Sequence, residues 1–225
     1  MNPSTEQRKS AGSPRYRSPL RDAQAADTRE RVLEAAADLF TRSGYLRTTM
    51  RRIADAAGVS VETVYAQGSK QTLLLASVDR ALAGEGEAGP LIESAPVSQA
   101  LGRPSAAEVL HGFAEALADI AVRAAGLLVA FEDAAAADAA TLELWTETEQ
   151  RRRQDYRRLV ETVAALVPLQ HGLDVERATD GLWHTVSPRL AQHLFSVGWT
   201  RDEVADWTAT IGTSMLLQPE SGRPS

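Results

Sequence analysis

Residues Thr48 to Lys70 read TTMRRIADAAGVSVETVYAQGSK, two short helical segments on either side of a Gly-Val-Ser turn. A block of this kind leaves the chain few choices. Thr48 or Thr49 stands where an N-cap is needed, and Ile53, Ala54 and Ala57 follow at helical spacing, giving the first segment one apolar side. Gly58 comes where the chain must leave that helix, a place that suits a left-handed residue and hence glycine. Ser60 caps the second segment, and Val64 points back at Ala54, small enough for a close crossing. Val61, Glu62, Thr63, Tyr65 and Ala66 are then left to face outward. The spacing predicts a helix-turn-helix rather than an ordinary helical hairpin whose loop contains glycine. That motif carries its second helix into the major groove of DNA.

The rest of the chain is patterned for helices, without strand-like alternation of useful length. Residues 1–26, rich in Ser, Pro, Gln and Arg, read as a disordered basic arm in which Arg15, Arg17 and Arg21 are available to a DNA backbone or only to solvent. Asp27 with Glu30 resembles a capping box and opens a helix with the stripe Val32, Leu33, Ala36, Leu39 and Phe40. Ser69 caps a fourth helix running to Ala83, so residues 27–83 form one domain. Residues 84–104 read as a linker with room for a helical turn, 105–217 as a second helical domain and 218–225 as a tail. Within the second domain, Val109, Leu110, Phe113, Leu117 and Ile120 make one stripe, which Gly126 breaks. Thr141 caps a long helix that Pro168 stops. Its run from Glu147 to Arg158, with Glu147–Arg151 and Glu149–Arg153 at spacing four, reads as a solvated face. A helix over Val175–Thr185 follows, then Ser187-Pro188 opening another, and a Thr200–Glu203 capping box ahead of the stripe Val204, Trp207, Ile211 and Met215.

Composition narrows the setting. The 225 residues carry a net charge of -6, unevenly placed: residues 1–83 hold 13 Lys and Arg against 9 Asp and Glu, a balance of +4, leaving -10 for the remainder. The basic end suits phosphate and the acidic end does not. With 44% hydrophobic residues there is enough for a real core. The absence of cysteine rules out disulfides and thiolate metal sites and suits a reducing cytoplasm. No apolar run reaches the roughly 18 residues of a membrane span, and no signal-peptide core is present.

The flanks of the helix-turn-helix carry a family resemblance. The stretch TRERVLEAAADLFTRSGYLRTTMRRIADAAGVSVETVYAQGSKQTLLLASVDRAL resembles the DNA-binding end of TetR-type transcriptional regulators, through Ala35, Ala36, Leu39 and Phe40, then Gly44, Thr48, Thr49, Ile53, Ala54, Ala57, Gly58, Val59, Ser60, Thr63, Tyr65, Ser69, Lys70 and Leu73. One departure stands out. The family places an aromatic three residues after the tyrosine and a lysine three beyond it, whereas Ala66, Gln67 and Gly68 follow Tyr65 here and Lys70 comes five residues on. The join between the recognition helix and the next helix should therefore be tighter.

The resemblance implies an all-α chain with an N-terminal three-helix helix-turn-helix domain and a C-terminal bundle that binds a ligand and dimerises. The partners implied are a palindromic double-stranded DNA operator, a second copy of the chain and a small-molecule effector; no cofactor, metal or membrane is implied. Thr48, Thr49, Arg52, Tyr65 and Lys70 occupy phosphate-contacting places, with Arg51 beside them, and Ser60, Val61, Glu62 and Thr63 stand where bases are read. Glu62 has two readings, acceptance from a cytosine amino group or stabilisation of a helix N-terminus. Candidates for an effector pocket are His111, Phe113, Phe131, Trp145 and Trp183, with His184 as a further polar handle; taken alone, each is better explained as part of a filled aromatic core. The stretches DGLWHTVSP and GWTRDEVADW resemble the family's dimerising helices, making Val204, Trp207, Ile211 and Met215 interface candidates. A metal site is poorly supported, since His184 and His193 lie nine residues apart across a proline and His111 with Glu115 supplies two ligands. Two alternatives remain open: a constitutive DNA-binding regulator whose bundle only dimerises, and an all-helical enzyme.

Overall fold

The computed structural model describes residues 19–83 and 91–218 of the chain. Arg15 and Arg17 of the expected arm, and the tail beyond residue 218, lie outside the described residues. Among those described there are ten α-helices and no strand: α1 (Pro19–Arg47), α2 (Met50–Ala57), α3 (Val61–Gln67), α4 (Lys70–Ala83), α5 (Ala95–Leu101), α6 (Ala106–Ala135), α7 (Ala139–Leu166), α8 (Val175–Thr185), α9 (Pro188–Ser196) and α10 (Arg201–Leu216). The fold is all-α, as the periodicity predicts.

Local chemistry explains most boundaries. Thr49, Ser60, Ser105, Ser187 and Thr200 each accept a backbone N–H from the first turn of the helix they open. Gly58 takes φ 66°, ψ 37° and returns its N–H to Ala54 O, closing α2 in the left-handed conformation that a side chain disfavours. At Thr200 the capping box is complete, with the Glu203 carboxylate accepting the Thr200 N–H at 2.7 Å.

Four expectations about elements need correction. The first helix opens at Pro19, not Asp27, because the Leu-Arg-Asp-Ala-Gln-Ala-Ala stretch behind that proline is made of helix-compatible residues and proline suits a first turn. The segment expected as linker contains a 3₁₀ turn at Leu91–Glu93 and the full helix α5, held by Val97 and Ala100 buried against α6. Gly126 does not break a helix. It sits inside the 30-residue α6, where a β-carbon would stand 2.6 Å from Thr41 Cγ2, so it is the place where α1 lies against α6. Asp138, rather than Thr141, caps α7, accepting Thr141 N–H at 2.8 Å while Thr141 itself is buried.

α6 is the centre of the molecule, in contact with α1, α4, α5, α7, α9 and α10. Its last turns (Ala124, Leu127, Leu128, Ala130, Phe131 and Ala134) join Val32, Phe40, Ile53, Val64, Leu73 and Leu74 in one core shared by the helix-turn-helix and the bundle. Its first turns join Tyr156, Leu159, Val160 and Val163 of α7 and Leu182 of α8 in a second core.

Candidate nucleic-acid interface and effector cavity

Helix α2 turns its Met50, Ile53, Ala54 and Ala57 side inward, and α3 contributes the fully buried Val64. What remains outside on α3 is Glu62, Tyr65 and Ala66, with Val61 and Thr63 half-buried. Tyr65 is the most prominent, 61% exposed. Ser60 is engaged at the cap: its Oγ accepts Thr63 N–H at 3.2 Å and lies 3.0 Å from Thr63 Oγ1. The Glu62 carboxylate is held below its ordinary range by its own backbone N–H and then by the Ser60 hydroxyl. That contact fits the second of its two readings, while the carboxylate itself stays exposed.

The five residues expected at phosphates divide sharply. Thr49, Arg52 and Tyr65 are exposed. Arg52 donates to Arg47 O at 2.8 Å and Ser43 Oγ at 3.1 Å, while Arg51, also exposed, has no hydrogen bond or ion pair among the described residues. Thr48 is not a phosphate ligand: it is fully buried, and its hydroxyl lies 2.9 Å from Gly44 O and 3.2 Å from Leu39 O, tying the turn to the end of α1. Lys70 is also turned inward. Its Nζ donates to Tyr45 O at 2.9 Å and Thr48 O at 3.0 Å, and lies 3.9 Å from the centre of the Tyr45 ring. Desolvation lowers its pKa from the usual ammonium range. The close join made by Gly68 and Ser69 brings Lys70 to this place at the first residue of α4.

A cavity of about 450 Å³ lies between α4, α6, α7 and α9. Leu75, Val78, Ile120, Leu128 and Phe131 give it apolar walls, with Leu82 and Leu144 at a half-exposed rim. Of the five pocket candidates only Phe131 reaches it. His111 is exposed on the far side, 3.6 Å from Glu115; Phe113 is buried edge-on to Tyr156 in the second core; Trp145 packs edge-on to Phe131 from outside the cavity. Trp183 acts one layer back, donating Nε1–H to Glu149 Oε2 at 3.0 Å. His184 is exposed beside the Trp183 ring.

The polar end of the cavity comes from the charged run of α7 expected to be solvated. Arg152 forks onto Glu149, with Nε 3.0 Å from Oε1 and Nη2 2.8 Å from Oε2, both side chains under one-fifth exposed. The remaining Arg152 nitrogen caps the end of α8, donating to Trp183 O and Val186 O at 3.1 Å each. Tyr156 donates to Val186 O at 3.1 Å, and burial pushes its phenol up to about 12, so it stays neutral. Arg153 pairs with Glu176 and Asp180 of α8, not with Glu149. A period-four reading of α7 misses this, because only the distant carbonyls at 183 and 186 make the Glu149–Arg152 side of the helix an inner one.

The interface candidates also divide. Val204 is 4% exposed, packed with Ala118 and Ala205 inside the chain, so it is core rather than interface. Met215 belongs with the second core, its Cε 2.7 Å from where a Gly181 β-carbon would stand. Trp207 meets Trp199 edge-on with ring centres 6.3 Å apart, and Ile211 is half-buried on the same helix. α9 has no buried residue, although it carries Leu190, Leu194 and Phe195.

No described helix is long and apolar enough to cross a membrane. Among the described residues no three His, Cys, Asp or Glu side chains converge on a common point.

Residues 32–77 match the profile of bacterial regulatory proteins of the tetR family. Comparison with curated protein sequences gives no match. Solved structures resemble the whole chain. The ketosteroid transcriptional regulator KstR2 of Mycobacterium tuberculosis superposes with a TM-score of 0.66 at 19% identity, over 85% of this chain and 95% of that one. The TetR family transcriptional regulator PfmR from Thermus thermophilus gives 0.62 at 21% identity, over 86% and 98%. SmeT of Stenotrophomonas maltophilia, in complex with triclosan, gives 0.60 at 19% identity, over 88% and 95%. At these identities the likeness is one of fold.

Proposed function

On the match of residues 32–77 to the tetR family of bacterial regulatory proteins, we propose that the chain is a sequence-specific transcriptional regulator, a homodimeric repressor released from a palindromic operator by a small molecule. It acts in the cytoplasm, where its DNA lies. One observation carries the reading: α4 belongs to both working parts. Its first residue, Lys70, grips the turn that leads into α2, and its later residues Leu75, Val78 and Leu82 line the cavity. A molecule that fits the cavity better at one setting of α4 than at another shifts the helix-turn-helix by that difference in affinity alone. Two recognition helices related by a two-fold axis would then lose their spacing on the operator, about one helical turn or roughly 34 Å between half-sites.

On the DNA, Thr49, Arg51, Arg52 and Tyr65 set the register on phosphates, while Val61, Thr63 and the exposed side of α3 meet base edges. Trp207 and Ile211, with the half-covered apolar side of α9, form the dimer face. The cavity favours this reading over a bundle that only dimerises, since such a bundle has no use for an apolar cleft with a buried charged end. Selection of genomic fragments with purified protein, followed by footprinting, tests it. A protected palindrome is expected, released by a compound that also raises the melting temperature. A folded dimer that enriches no fragment at low salt would sink it.

A further inference from the structure

One buried group at the polar end of the cavity is left without a side-chain partner among the described residues. Glu149 and Arg152 neutralise each other and are hydrogen-bonded on all sides, and the Tyr156 hydroxyl is given to Val186. Asp155 lines the same end, on α7, and is only 8% exposed. No side chain among the described residues hydrogen-bonds or pairs with its carboxylate, and the backbone N–H of Ile92 lies on the side that favours its charged form. Arg151, one turn earlier on α7, is exposed at the cavity edge, 3.5 Å from Thr148 Oγ1. Glu93 of the 3₁₀ turn and Asp79 of α4 face the region with the same sign as Asp155, and both are exposed. The surroundings therefore hold four acids, Asp79, Glu93, Glu149 and Asp155, against the two bases Arg151 and Arg152.

We propose that the cavity takes an apolar molecule carrying one protonated amine, its body against Val78, Ile120, Leu128 and Phe131 and its ammonium donating to Asp155. This rests on the reading of the bundle as a sensor and names the ligand class for it. A buried carboxylate with an open lone pair attracts a cation far more strongly than in water, because little solvent competes. A carboxylate ligand meets the excess of acids, and the half-buried cation at this end, Arg152, is already engaged by Glu149 and two carbonyls. An alcohol can donate to Asp155 but leaves its charge uncompensated. Burial, opposed by the Ile92 N–H and Arg151, pushes Asp155 up to about 6, so it is mostly ionised at pH 7.5 and mostly neutral at pH 5.

The test uses full-length protein and octyl, decyl and 4-phenylbutyl bodies, each as primary amine, alcohol and carboxylate, titrated calorimetrically at pH 7.5. For a given body the amine is expected to bind tightest. Asp155→Asn should weaken the amine about thirty-fold or more while leaving the alcohol within about two-fold. Arg151→Gln should leave the amine bound at least as well. Between pH 7.5 and pH 5 the amine should lose about ten-fold with the alcohol unchanged. Amines that bind no better than alcohols on every body, or carboxylates that lead and fall in Arg151→Gln, overturn the proposal. Operator binding is measured on the same preparation: intact operator recognition with the wrong ranking of head groups refutes the ligand class alone, whereas loss of recognition refutes the regulator.

Discussion

An ammonium whose three N–H groups are directed at two backbone carbonyls and an aromatic face has none left for a phosphate. Lys70 is in that position, with Tyr45 O, Thr48 O and the Tyr45 ring around it. Lys70→Met should therefore lower stability by about 2–3 kcal/mol, the scale of charge-assisted bonds lost to partly buried carbonyls, and leave the salt dependence of DNA binding unchanged. Denaturant midpoints and affinities over several salt concentrations check this; a salt slope reduced by about one would restore the phosphate role. Asp155 gives a pH signature of its own. Burial raises its folded-state pKa from 3.8 to about 6, so the neutral form is the one the fold prefers. Its contribution is fully favourable below about pH 4 and is lost as pH rises through 6, to a cost of about 2–3 kcal/mol at neutral pH. Asp155→Asn should raise the melting temperature at pH 7.5 and change it little at pH 4. The inward roles of Thr48 and Lys70 are not written in their sequence neighbours. Thr48 and Lys70 are polar residues beside a DNA-reading motif, and only the turn at Gly44, folding Tyr45 and Thr48 back toward α4, turns both inward.

Helix ends are the most legible elements, because a cap is settled within four residues. Thr49, Ser60, Ser187 and the Thr200–Glu203 box each act where the local pattern puts them. Helix interiors are less so. The long α7 has one face whose charges reach solvent and another whose Glu149 and Arg152 fold against α8, and period alone assigns both outward. Gly126 illustrates the same limit. In a single helix, glycine reads as a weak point, yet here it removes the one β-carbon that would strike Thr41 of α1, 2.6 Å from its Cγ2. Gly126→Ala should cost about 1–3 kcal/mol by overpacking, although alanine is the better helix former. Thr41→Ala in the same chain should recover part of the loss, since the Cγ2 clash goes while the Thr41 Cα remains 3.3 Å away. A double-mutant cycle on thermal unfolding measures both. A Gly126→Ala chain as stable as the parent would show that α1 yields there freely.

At the scale of the whole molecule, the helix-turn-helix and the helical bundle after it are plain from the sequence, but the border it draws between them is too clean. Periodicity shows each helix's apolar side but not which helices share it, and Val204 reads as an outer residue because its partners, Ala118 of α6 with Leu194 and Phe195 of α9, lie on other helices. With Val204 and Met215 inside, the dimer reading falls on Ile211 and Trp207 of α10. Ile211→Asp should shift sedimenting species from dimer to monomer and weaken operator binding at least about ten-fold while leaving the helical content intact. A dimer that persists would move the interface elsewhere. The core joining Phe40, Ile53, Val64 and Leu74 to Leu127, Leu128 and Phe131 has a further consequence. Grafting this reader onto another regulator's bundle, by cutting after α4, would strip the graft of half the wall it folds against. A working chimera must carry the last three turns of α6 with it, because the helix-turn-helix and the bundle part here only along the seam that this core draws.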